Sequence, residues 1–160
     1  MGSKKNLNCV ICDQNESADK SVMDFIWDSR SWVLLHDSAP SPVSGWLTLQ
    51  PRRCVQGVSK LTEEEALEFG GISRKIARGM EIVLDVPKVY SIAFGESVSH
   101  LHSHFVPRYL EMPPEYLAFG VADLFRDTKS GLREPADINK TTLAIYLLRD
   151  YFSVNSPLVD

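Results

Sequence analysis

The chain has 160 residues, of which 44% are hydrophobic and 24% are charged, and its formal net charge at pH 7 is −4. An acidic balance argues against a protein that covers a nucleic-acid backbone, because such binding requires a basic surface. No apolar run approaches the roughly 18–20 residues that cross a bilayer, so we expect neither a nucleic-acid partner nor a membrane partner. The polar first residues lack the apolar core of a signal peptide, and we expect a globular protein in the cytoplasm.

Short apolar segments bounded by turn residues predict strands in the first third of the chain, at residues 22–27, 32–35 and 45–49. Thr62 and Glu65 form a capping box, which predicts the start of a long helix that ends before Pro87.

Two more strands are predicted at residues 89–94 and 100–106, and the tail predicts helices at about 114–125 and 139–152. Together these elements predict an α+β fold. It has an antiparallel sheet of about five strands, one long helix and a helical C-terminal tail.

Three of the four histidines, His100, His102 and His104, stand at alternate positions of a predicted strand. Side chains two residues apart in a strand point to the same face, so the three imidazoles are predicted to share one space. Each neutral ring carries a donor and an acceptor that need partners, which argues against a purely structural role for all three. Such a row suits either a metal held by several imidazoles or a histidine nucleophile supported by its neighbours.

The N-terminal pair Cys9-x-x-Cys12 has three interpretations. A disulfide is unusual in a cytoplasmic chain, and a thioredoxin-type redox pair needs a preceding strand that the short polar segment before Cys9 does not supply. The third interpretation is half of a zinc site, for which the spacing is right and two more ligands are required. Cys54 is the only other cysteine of the chain.

Residues 100–108 resemble the signature of the histidine-triad (HIT) superfamily of nucleotide hydrolases and transferases, in which three histidines alternate with other residues. Upstream segments resemble this family in the same order: His36-Asp37 after an apolar strand, residues 45–53, and residues 61–65 at the start of the long helix.

The resemblance covers residues 9–108, which implies a HIT domain there. Outside it, we expect a loose polar N-terminus at residues 1–8 and a helical extension at residues 109–160 that packs on the same domain. It also implies a homodimer.

The same resemblance implies covalent catalysis in two steps. His102 would attack the α-phosphorus of a nucleotide, and water or another acceptor would then release the nucleoside monophosphate. His104 would contact the phosphoryl oxygens or the leaving group, and Ser97 would bind phosphate. Asp37, or its neighbour His36, would hold the ribose hydroxyls. Dinucleoside polyphosphates and phosphoramidates are the expected substrates, and the sequence does not choose between them.

Two residues depart from the family pattern, and the short loop before the three histidines lacks an asparagine that the family often has there. Trp46 stands where the family often has a histidine, and we expect it to line or close the substrate pocket, although a plain core role is equally compatible. Glu96 replaces a common glutamine and adds negative charge near a phosphate site. These departures keep open an alternative function, a nucleotide-binding regulatory protein with little or no turnover. A catalytic metal held by all three histidines and a redox role for the N-terminal cysteines are further alternatives.

Zinc-bearing relatives suggest the missing ligands of the N-terminal cysteine pair. In many of them a histidine at the position of Cys54 joins the Cys-x-x-Cys pair and the first histidine of the triad. The resemblance therefore implies one structural zinc per chain and no organic cofactor. Its implied ligands are Cys9, Cys12, Cys54 and His100.

Overall fold

An antiparallel sheet forms the centre of the fold. The computed structural model describes residues 9–17, 24–37 and 40–158, so the predicted N-terminus at 1–8 and the start of the first predicted strand lie outside the described residues. Within them the sheet has five strands in the order β1-β2-β3-β5-β4, with every neighbouring pair antiparallel. The strands are β1 (Phe25–Asp28), β2 (Trp32–His36), β3 (Leu47–Pro51), β4 (Val89–Ile92) and β5 (Ser103–Pro107). The predicted α+β class with its antiparallel sheet is confirmed.

Four α-helices accompany the sheet among the described residues. They are α1 (Val10–Ser17), α2 (Glu63–Leu84), α3 (Val121–Lys129) and α4 (Ile138–Val154). Helix α2 begins as predicted, because the Thr62 hydroxyl accepts from the Glu65 N–H at 3.2 Å and the Glu65 carboxylate accepts from the Thr62 N–H at 2.8 Å. None of the described helices is both long enough and apolar enough to span a bilayer.

The two faces of the sheet have different partners. Side chains alternate between faces along each strand, so Leu47 and Leu49 on β3, with Phe105 on β5, pack against α2 and α4 in the main core. The intervening Thr48 and His104 lie on the opposite face, where they border cavities lined by α1 and α3. The fold therefore places its main core on one face of the sheet, and the other face carries these cavities beside a second apolar cluster in which Trp46 and Val106 pack against α3.

Helices α2 and α4 pack closely over that core. A Cβ on Gly79 would lie 2.7 Å from the ring of Phe152, so this approach requires glycine. Leu148 and Phe152 are buried against α2 and the sheet, whereas Leu143 and Leu147 on the adjacent stripe are 57% and 45% exposed. The buried face of α4 is therefore the stripe that contains Phe152.

The predicted helix at about 114–125 is wrong in its first half. Two single 3₁₀ turns, Pro114–Tyr116 and Ala118–Gly120, precede α3. Ala118 has a left-handed φ of 52°, which interrupts a right-handed helix. The turn also brings Gly120 so close to the Glu115 carbonyl that a Cβ would lie 1.9 Å from its oxygen.

Candidate active site

The histidine row begins before its predicted strand. Because β5 starts at Ser103, His100 and His102 lie in the segment that leads into it. The rings of His102 and His104 are neighbours, with centroids 5.1 Å apart and planes nearly perpendicular. The ring of His100 instead lies against two cysteines. The structure thus divides the three imidazoles between two places, and the prediction of one shared space holds for two of them.

Four side chains from distant parts of the sequence converge at the start of α1. His100 Nδ1 lies 3.3 Å from Cys9 Sγ and 3.5 Å from Cys12 Sγ. Together with Cys54 Sγ, these ligand atoms all lie within 4.8 Å of one another. The four residues that the resemblance implies as zinc ligands therefore form a metal-binding-capable cluster.

The hydrogen bonds of His100 leave the nitrogen that a metal requires. Its Nε2 lies 2.9 Å from the Pro51 carbonyl, which only accepts, so Nε2 carries the proton and the Nδ1 lone pair faces the thiols. Asn15 Nδ2 donates to the same carbonyl at 2.9 Å and holds it in place. Burial and hydrogen bonds with the neighbouring thiols raise the pKa of Cys12 to about 12. A divalent cation would compensate the charge of ionised thiols here, so this donor set fits tetrahedral zinc.

His102 has one engaged nitrogen and one free nitrogen. Nδ1 donates to the backbone carbonyl of His100 at 2.8 Å, since that carbonyl can only accept. Nε2 has no hydrogen-bond partner among the described residues. The neutral ring therefore presents the lone pair of Nε2, which is the form that a nucleophilic histidine requires.

His104 is held by Thr48 of β3 and by Trp46, the residue before that strand. The buried Trp46 indole donates from Nε1 to His104 Nδ1 at 3.0 Å, and the Thr48 hydroxyl lies 3.3 Å from the same nitrogen. Burial, with a smaller contribution from the charge of His102, lowers the pKa of His104 to about 4. This ring is therefore neutral at pH 7.

Two cavities meet at His102 and His104. The smaller, of about 160 Å³, lies between α1 and the end of β2. Its walls include Val10, Ile11, Leu35, Asp37 and Thr48. The larger, of about 460 Å³, lies on the side of α3. Its apolar walls include Trp46, Ile92, Phe94, Val121 and Phe125. The rings of His102 and His104 therefore lie between two separate cavities.

Glu96 and Ser97 border the larger cavity from the loop after β4 and are exposed. Arg52 pairs with Asp28 and Arg53 pairs with Glu65, so these two arginines are engaged away from Glu96. Ser97 lines the same cavity as His102 and His104, and its role in binding phosphate stays a prediction.

Helix α3 contributes two residues that the sequence did not indicate. The Phe125 ring lies 5.6 Å from the Trp46 ring and 6.1 Å from the His104 ring, measured between centroids. Lys129 Nζ lies 3.1 Å from an oxygen of the Asp37 carboxylate. Burial raises the pKa of Asp37, and the charge of Lys129 partly opposes that rise. No local sequence signal reports these contacts, because they depend on how the C-terminal extension packs.

His36 is the last residue of β2, and its side chain contacts the segment that leads into β3. Its side chain is buried, Nδ1 donates to the Asp37 carbonyl at 2.8 Å, and Nε2 accepts from the Gly45 N–H at 3.0 Å. Both nitrogens are thus engaged within the protein, so His36 positions Asp37. A direct contact of His36 with substrate stays a prediction.

Acid is expected to destabilise the protein because of His36 and His104. Both have a pKa of about 4 when folded, against 6.5 ordinarily. Between these values the unfolded chain binds more protons, so the free energy of unfolding falls as the pH falls. Each histidine should contribute a loss of roughly 3 kcal/mol by about pH 4. Urea unfolding at pH 7 and at pH 4.5 measures the loss. His36→Asn should reduce this loss of unfolding free energy by roughly 3 kcal/mol, the contribution of one histidine. An unchanged pH dependence in that variant would contradict the role given to His36.

Comparison with known families identifies the family of this chain. A model of the HIT domain matches residues 19–111, which is more than half of the chain. The chain belongs to the HIT family. No curated protein sequence matches this HIT protein.

Solved structures share the fold. A Zn-bound histidine triad family protein from Mycobacterium smegmatis has a TM-score of 0.66 at 19% identity, covering 96% of this chain and 97% of that chain. A hypothetical histidine triad nucleotide-binding protein from Sulfolobus tokodaii has a TM-score of 0.65 at 13% identity, covering 91% and 93%. A Hit-like protein from Bartonella henselae has a TM-score of 0.64 at 14% identity, covering 92% and 98%. With such coverage, the likeness extends into the C-terminal helices of this HIT protein.

Proposed function

We propose that this HIT protein is a nucleotide phosphohydrolase or nucleotidyl transferase that cleaves at the α-phosphate of a nucleoside 5′-phosphate derivative. The observation that carries the proposal is the free Nε2 of His102 at the junction of the two cavities. The His100 carbonyl fixes the proton on Nδ1 of His102 and so leaves the other nitrogen ready to attack. Membership of the HIT family supports a nucleotide as the substrate.

The proposed reaction has two displacements. First, Nε2 of His102 forms a bond to the α-phosphorus, and the bond from phosphorus to the leaving group breaks with its electron pair going to that group. An amine leaving group takes up one proton from solvent as it departs, and the proton that water releases in the second displacement replaces it. Water then attacks the same phosphorus and releases one proton. The phosphorus–nitrogen bond breaks, its electron pair returns to Nε2, and the nucleoside monophosphate departs. His104 would donate a hydrogen bond to the phosphoryl oxygens or to the leaving group.

The smaller cavity suits the nucleoside. Val10, Ile11 and Leu35 supply apolar walls for a base, and Asp37 at the end of β2 supplies a carboxylate for the ribose hydroxyls. The ammonium of Lys129 contacts this carboxylate and orients it. Ser97, on the other side of His102, would bind the phosphate.

The larger cavity is proposed to take the leaving group, and its walls favour an apolar one. Among the described lining residues Glu96 is the single charged side chain, and no lysine or arginine is present. A nucleoside polyphosphate would bring several negative charges to a carboxylate and an aromatic wall. An aromatic amine would bury its ring against Phe125 and Trp46. We therefore favour phosphoramidates over dinucleoside polyphosphates.

A substrate panel with mass-spectrometric detection of the released nucleoside monophosphate tests the function. An adenosine phosphoramidate of an aromatic amine should give a kcat/KM at least about tenfold above that of a diadenosine polyphosphate. Phe125→Ala should lower the value for the aromatic substrate by roughly tenfold. Phe119→Ala is the matched control, because Phe119 is 96% exposed and does not line the cavity.

Two results of that panel would change the proposal. A preference for the polyphosphate would contradict the leaving-group assignment. Binding of a nucleoside monophosphate without any product from the whole panel would instead identify a nucleotide-binding regulatory protein.

We also propose one structural zinc per chain at Cys9, Cys12, Cys54 and His100. The convergence of these ligand atoms supports it, and so does the Zn-bound relative from Mycobacterium smegmatis. The ion would supply a cross-link between three segments: the start of α1, the segment after β3 and the segment before β5. A homodimer and a cytoplasmic location stay predictions.

A further inference from the structure

The indole N–H of Trp46 determines which nitrogen of His104 can carry a proton. Trp46 Nε1 donates to His104 Nδ1 at 3.0 Å, and an indole nitrogen is a donor only. Nδ1 must therefore accept. A neutral imidazole has one N–H and one lone pair, so the proton of neutral His104 lies on Nε2.

We infer that Trp46 is a positioning residue that fixes the Nε2–H tautomer of His104 and thereby makes this ring a hydrogen-bond donor toward the substrate. Nε2 of His104 has no partner among the described residues, and the ring borders both cavities. The inference deepens the proposed function and rests on it, since a donor at this point acts on a substrate that reacts at His102.

The two neighbouring imidazoles consequently hold opposite tautomers. In His102 the His100 carbonyl draws the proton to Nδ1 and leaves a lone pair on Nε2. In His104 the indole occupies the lone pair of Nδ1 and leaves the proton on Nε2. One ring is thus prepared to attack phosphorus, and its neighbour is prepared to donate to the negative charge that develops there.

The Thr48 hydroxyl is the other group near Nδ1 of His104, at 3.3 Å. If Nδ1 carried the proton, it could donate to this hydroxyl, but it would then point at the indole N–H of Trp46. That N–H would lose its acceptor, and a buried donor without an acceptor disfavours an arrangement by roughly tenfold or more. When Nδ1 is unprotonated, the Thr48 hydroxyl can rotate so that it acts as a donor rather than as an acceptor toward this nitrogen. Thr48 is therefore compatible with the Nε2–H tautomer.

Nuclear magnetic resonance of the ¹⁵N-labelled, metal-loaded full chain tests this inference without any substrate. We expect a scalar coupling across the hydrogen bond between Trp46 Nε1 and His104 Nδ1. We also expect long-range ¹H–¹⁵N spectra to show Nε2 of His104 as the protonated nitrogen, with the reverse pattern for His102. A proton on Nδ1 of His104, or no coupling from the indole, would overturn the inference.

Three variants test whether the indole N–H of Trp46 determines the tautomer of His104. W46F keeps an aromatic ring but removes the N–H, so Nδ1–H should become populated in His104 and kcat should fall roughly tenfold with little change in KM. W32F is the matched control, because the buried Trp32 indole donates to Glu68 at 3.0 Å, away from the site. Its His104 spectrum should equal that of the parent protein.

In T48V, His104 should keep its Nε2–H, and a tautomer change in T48V but not in W46F would overturn the inference. A parent protein that shows the coupling but no turnover would support the tautomer assignment and count against the proposed function alone.

Discussion

Replacing His102 by alanine is expected to lower kcat by roughly 10³-fold or more, because no other group can carry the covalent route. The half-buried ring of His102 makes its single described hydrogen bond to a backbone carbonyl, so the fold should survive the change. The release of nucleoside monophosphate from the aromatic phosphoramidate, followed by mass spectrometry, measures the loss. Zinc content should remain that of the parent protein, since His102 is not in the cysteine cluster.

The covalent intermediate gives an independent measurement. Intact-protein mass spectrometry after an alkaline quench should show the parent chain carrying one nucleotidyl group, located on the peptide that contains His102. Ser99→Ala is a suitable control, since Ser99 is exposed on the same segment and lines neither cavity. Equal product release by His102→Ala and the parent protein would eliminate His102 as the nucleophile.

Loss of the metal cluster is expected to have the largest effect on stability. Cys12→Ser should abolish zinc binding and lower the free energy of unfolding by roughly 4 kcal/mol, the value for a ligand at about a thousand times its dissociation constant. For a chain of this size, that corresponds to a fall in Tm of about 10 °C. Elemental analysis and thermal unfolding of freshly purified protein measure the two quantities.

A chelator supplies the control for this prediction. Chelation should lower the Tm of the parent protein toward that of Cys12→Ser and leave the variant unchanged, because the variant has no bound ion to lose. Fresh, unchelated parent protein without metal would show that the cluster is not a zinc site.

Features with a local sequence signal could be predicted. Thr62 and Glu65 lie in one helical turn, so their spacing predicts the start of α2. The alternation from His100 to His104 likewise indicated the segment of the candidate site. Cys9 and Cys12 marked half of the metal cluster, and the addition of Cys54 came from family resemblance.

Features that depend on packing between distant segments could not be predicted. Helix α1 is mostly polar, and its hydrophobic periodicity is too weak to distinguish it from a loop. The hydrogen bond from the Trp46 indole to His104 depends on the register between β3 and β5. This register places Thr48 opposite His104. The contact of Phe125 with the same ring depends on the fold of the extension.

The position of α3 bears on where the functional unit of this protein ends. The family match stops at residue 111, yet Val121 and Leu124 of α3 pack against Trp46 and Val106 beneath the site. A chain cut after residue 111 would retain His102 and His104 but expose that apolar surface. The segment that matches the family model is thus shorter than the segment that lines the candidate site. A design that places His100, His102 and His104 on another fold would therefore need to include α3 as well.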